Sequence, residues 1–132
     1  MSPVFALPQP PLPEHPDARG RLEEARAGTL ARIASLDREY EGIVEANALV
    51  AVDDEHDPEG ASTAFERAHV ASLLAAAHAH LDELDRAVQR LEGGDDYGVC
   101  VRCHEPIAEA RLEVRPAATT CVGCATVRTG RR

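Results

Sequence analysis

Apolar residues recur on a single narrow stripe twice along the chain. In the first half, Leu22, Thr29, Ile33, Leu36, Tyr40, Ile43, Asn47 and Val50 fall at steps of three, four or seven residues. That is the period of a helix with one buried face. Asp17 stands just ahead of it as a candidate cap. The second half repeats the pattern more cleanly, with Val70, Leu74, Ala77, Leu81, Leu84, Val88 and Leu91 spaced alternately by four and three. Such a heptad seam wants a partner helix. The segment between the two seams, VDDEHDPEGAS, is short, acidic and broken by Pro58 and Gly60. A connection this short brings the second helix back antiparallel to the first. The expected element is a helical hairpin of the coiled-coil kind, a rod about 45 to 50 Å long, too thin to enclose a substrate. Asn47 sits where the seam expects an apolar side chain, either fixing register or lying wet near a splayed distal end.

The flanks follow other patterns. Six of the nine prolines lie in MSPVFALPQPPLPEHP, which blocks helix and reads as a flexible or polyproline leader. Gly93 and Gly94 stop the second helix near Leu91 or Glu92 and open a different module. The expected organisation is a leader at 1–16, a hairpin at 17–92 with its acidic tip at 53–60, and a small cysteine-bearing module at 93–132.

Composition narrows the picture. Among 132 residues there are 23 Ala but only two Phe, two Tyr and no Trp, which disfavours a ring-filled sandwich or barrel core and suits closely packed helices. Every basic residue is Arg, and the net charge is -9. That balance argues against a protein that holds duplex DNA mainly through phosphates, and no direct sequence-specific DNA binding is expected. The charge is uneven: residues 1–60 hold 13 acids against 5 Arg, whereas residues 97–132 hold 3 against 6. No apolar run approaches the roughly 20 residues that span a bilayer, and no export signal is present, so a cytoplasmic protein without membrane contact is expected.

Chemistry concentrates in the last third. Cys100-Val-Arg-Cys103 and Cys121-Val-Gly-Cys124 form two pairs with 17 residues between them. Two such knuckles supply the tetrahedral sulfur shell of one structural zinc. The overlapping CVRCH string also fits covalent haem attachment, but that would leave the second pair unused. Glu55, Asp57, Glu59, Gly60 and Glu66 fall at calcium-loop positions, with bulky Glu at positions 1 and 5 and Pro58 stiffening the loop. The five acids between 53 and 59 read instead as a charged tip at the end of a rod. His69, His78 and His80 lack helical metal-ligand spacing and read as surface residues. Arg111 and Arg115 are open to a partner or to local acids such as Glu113.

The stretch from Tyr97 to Ala125, YGVCVRCHEPIAEARLEVRPAATTCVGCA, resembles the zinc finger of the DksA/TraR family of bacterial transcription regulators. The Tyr-Gly lead-in, both cysteine pairs and their separation, Ile107, Arg111-Leu112 and Pro116 carry the resemblance. His104 departs from it, since the family usually has Gly there. The resemblance extends more weakly through both helices from about residue 20. It implies a non-catalytic protein that binds RNA polymerase without DNA, inserting its hairpin into the secondary channel so that an acidic tip nears the active site, often together with the alarmone ppGpp. Asp53, Asp54, Asp57 and Glu59 would form that tip and Cys100, Cys103, Cys121 and Cys124 would hold the zinc. The family's best-studied tips carry Asp, two residues, Asp, one residue, Ala; with Asp57 as anchor, Gly60 and Ser62 stand in the later two places, and with Asp54 as anchor, Asp57 fits the second Asp but Glu59 stands at the Ala. No residue is assigned to ppGpp. Two rival roles remain: assistance to transcript cleavage, with tip carboxylates holding a second Mg²⁺, and a coiled-coil scaffold in which zinc only stabilises.

Overall fold

The computed structural model describes residues 15–50, 58–94 and 96–130. Four helices follow in order: α1 (Ala18–Val50), α2 (Pro58–Gly93), α3 (Glu109–Val114) and α4 (Val122–Gly130). The molecule is mainly α, with an isolated antiparallel bridge between Val99 and Pro106. Pro58 and Gly60, expected to break helix, stand in the first turn of α2. Proline is tolerated there because the first-turn N–H groups have no partner within the helix. Among the described residues, no helix is long and apolar enough to cross a membrane.

Helices α1 and α2 pack antiparallel along their stripes. Arg19 Nη2 meets Glu92 Oε2 at 2.7 Å, and Arg26 Nε meets Asp85 Oδ1 at 2.7 Å. The second pair lies one heptad further along α1 and one heptad back along α2, which fixes the register. Between them the interface divides into two cores. Toward the tip, Ile33, Leu36, Val70 and Ala77 are buried, with Tyr40, Ile43, Leu73, Leu74 and Leu81 packed around them. Asn47, further out on the same stripe, is half-buried. Thr29 is buried because its hydroxyl donates to the Ala25 carbonyl at 2.8 Å, which satisfies the polar group within its own helix.

The second core joins the hairpin base to the last third of the chain. Ala18, Leu22, Leu84 and Ala87 share one cluster with Tyr97, Cys100, Ile107, Leu112 and Ala117. Leu22, Leu84 and Leu112 are fully buried. Leu84 is thus covered by the first arm, α1, and by the cysteine module together. Ala87, off the expected seam, is fully buried for the same reason. After Gly93 the chain reverses through Gly94 at φ +71, a left-handed position that a glycine takes without steric cost.

Candidate metal centre

The first cysteine knuckle is a tight antiparallel turn. Ile107 N–H donates to Gly98 O at 2.7 Å, Cys100 N–H to Glu105 O at 2.8 Å, and His104 N–H to Cys100 O at 2.9 Å. His104, the residue after the pair, has φ +64, in the left-handed region that disfavours a side chain by roughly 1 to 2 kcal/mol. Its ring is exposed. The second knuckle is built into the start of α4, where Cys124 N–H points to Cys121 Sγ at 3.4 Å. Two bonds tie the knuckles together: Val101 N–H to Thr119 O at 2.9 Å and Arg111 Nε to Thr120 O at 2.9 Å. Tyr97 completes the frame by donating its hydroxyl to Pro116 O at 2.7 Å.

All four sulfurs converge. The Sγ atoms of Cys100, Cys103, Cys121 and Cys124 lie within 4.8 Å of one another, and Cys103 and Cys121 are 3.8 Å apart. A disulfide needs about 2.05 Å, so these are four free thiols. A tetrahedral zinc with Zn–S bonds of about 2.3 Å sets its sulfurs about 3.8 Å from each other. The donor set therefore fits one structural zinc, with no position left for substrate. Both pairs are used, which leaves the haem reading without support.

The electrostatics of the four thiols point the same way. The Cys103 backbone N–H, helped by those of Cys121 and Arg102, pulls the Cys100 thiol down to about 6 against the effect of burial. Cys124 is pushed up to about 12, chiefly by its hydrogen bond with Cys121, then by Cys100 and by burial. One thiolate forms readily, while Cys103 and Cys124 resist ionising. A dication removes that conflict by binding all four as thiolates.

The other residues singled out from sequence divide. Asp53, Asp54 and Asp57 lie outside the described residues, and Glu59 stands in the first turn of α2. His69, His78 and His80 are exposed. Arg111 is committed to Thr120 O, and Glu113 lies 4.0 Å from Arg21 of α1. Sequence reasoning missed a basic cleft of about 650 Å³ between α2 and the finger, lined by His80, Glu83, Arg86, Arg90, Arg111 and Arg115. Arg90 Nη2 is buried there without a hydrogen-bond partner. The four-residue spacing of Arg86 and Arg90 was the available signal, but only the folded finger brings Arg111 and Arg115 to face them.

Residues 95–130 match the family model of the prokaryotic dksA/traR C4-type zinc finger. The structure of transcription factor DksA2 from Pseudomonas aeruginosa is similar over 83% of this chain and 84% of its own, with a TM-score of 0.52 and 28% sequence identity. No curated protein matches the chain. The last third is thus a four-thiol zinc finger of the prokaryotic dksA/traR C4 type, and hairpin and finger together are similar to the transcription factor DksA2.

Proposed function

We propose that this protein is a non-catalytic transcription regulator that binds RNA polymerase through the secondary channel, with the hairpin as probe and the zinc finger as its base. The observation that carries the reading is the likeness to DksA2, which runs through both hairpin and finger and covers most of each chain. A rod about 50 Å long with five acids between residues 53 and 59 suits entry into a narrow channel whose active site handles Mg²⁺ and phosphates. Asp53, Asp54, Asp57 and Glu59 form the tip in this reading. The protein acts in the cytoplasm, where the polymerase is. The arginine-lined cleft supplies the charge that an anionic co-regulator such as ppGpp requires.

The test is transcription in vitro with the host's own polymerase. Wild-type protein is expected to bind the enzyme, compete with a known secondary-channel ligand and alter promoter output. Asp57→Ala should keep zinc and helicity yet weaken the effect, and Asp53→Arg with Asp54→Arg should weaken it further. Wild-type protein that neither binds nor competes would sink the reading. Faster shortening of backtracked transcripts, lost in the tip variants, would instead favour the cleavage-assisting role. An unchanged transcriptional profile for every tip variant would favour the scaffold.

A further inference from the structure

The finger is also held from outside its own sequence. His15, three residues ahead of α1, is buried against the finger's lead-in, its side chain keeping 9% of its surface. The ring meets Tyr97 edge to face, with centroids 5.3 Å apart and 79° between planes. A Cβ placed on Gly98 would stand 2.7 Å from His15 Nε2, so ring and glycine backbone are in direct contact. Nδ1 lies 3.4 Å from Glu109 Oε2, and both ring nitrogens are buried without a hydrogen-bond partner. Glu109 is shared with Arg21, whose Nη1 reaches Oε1 at 2.9 Å, and Asp17 and Glu113 complete the charged groups around it. The His15 carbonyl accepts the Ala18 N–H at 3.0 Å, which anchors the ring to the start of α1.

The three contacts fall on three parts of the first knuckle's frame. Tyr97 holds the segment before the second knuckle through Pro116, Gly98 accepts the Ile107 N–H that closes the turn, and Glu109 opens α3. Residue 15 lies outside the stretch that matches the finger family. We propose that His15 is a clasp that presses the first cysteine knuckle against the hairpin base and so sets how slowly the finger gives up its zinc. Release requires the knuckles to part. A ring wedged between Gly98 and Tyr97 makes that local opening rarer. The clasp is independent of any role at the polymerase.

The experiment uses the full-length zinc-loaded chain, challenged with excess EDTA while a chromogenic chelator reports released zinc. His15→Ala should release zinc about tenfold faster, the scale set by losing one covered ring contact, with far-UV helicity unchanged. His15→Phe keeps the edge contact and should stay near the wild-type rate. Gly98→Ala should accelerate release in the wild-type background and add less on top of His15→Ala, because the ring it collides with is then gone. Release from His15→Ala at the wild-type rate overturns the clasp. So does His15→Phe releasing as fast as His15→Ala, or a Gly98→Ala effect equal in both backgrounds.

Discussion

At Tyr97 two demands meet in one side chain. The ring is 7% exposed within the core that joins hairpin and finger, while the hydroxyl reaches Pro116 O. Burial raises its ionisation above the ordinary phenol value. The neutral form is therefore the one that fits. A group raised in this way contributes stability that is fully present below its unfolded value, near pH 10, and is lost as pH climbs through the folded one. Tyr97→Phe should cost about 1 kcal/mol at neutral pH by leaving the Pro116 carbonyl without its donor. It should also flatten the fall in stability as pH rises above about 10. Urea midpoints for both proteins across that range check the pair of expectations. His104 illustrates the opposite case, a residue visible in sequence as a departure from the family's glycine. Its left-handed φ supplies the reason that glycine suits the position.

At the scale of elements, the heptad spacing located the seam but not its depth. Leu81 and Leu84 occupy neighbouring seam positions with identical side chains, yet Leu81 is half-buried and Leu84 has no exposed surface. The difference comes from the finger, which covers Leu84 together with Leu22, Ala87 and Leu112. A two-helix seam alone would place Leu84→Ala at the low end of the 2 to 5 kcal/mol range. With the finger closing the site, it belongs in the middle or upper part. Leu81→Ala should cost clearly less. Equal urea midpoints for the two variants would mean that the finger does not close over the hairpin base.

At the scale of the whole molecule, hairpin and finger are coupled through that shared core. A structural zinc supplies on the order of 10 to 16 kcal/mol to a finger, and here part of that holds the base of both arms. Cys121→Ser should therefore do more than unfold the last third. Helicity should fall by the turns around Ala18, Leu22, Leu84 and Ala87, while the distal seam around Ile33, Leu36 and Val70 persists. Circular dichroism combined with elemental analysis measures both losses. A variant that loses zinc with full helicity retained would show that the base is held by the arms alone. In wild-type protein, zinc binding should release protons, since Cys124 must give up a thiol proton held up to about 12, and affinity should rise with pH. Proton release measured in weak buffer tests this.

What the sequence determined by itself is what local spacing encodes. The three-and-four step of Leu74, Ala77, Leu81 and Leu84 prescribes a helix with one face to bury, whatever lies opposite. The Cys100–Cys103 and Cys121–Cys124 spacing prescribes two knuckles able to share one metal, because each pair's geometry is set within its own turn. Tertiary structure decided what depends on residues far apart in sequence meeting in space. His15 reads as the end of a proline-rich leader until Gly98, Tyr97 and Glu109 close around it. Arg86 and Arg90 stand four residues apart in sequence, but only the fold sets Arg111 and Arg115 across a cleft from them. Burial is a sum over neighbours that a linear pattern does not contain, so the finger's docking on the hairpin base, and the depth it gives Leu84 and Ala87, belong to the fold alone.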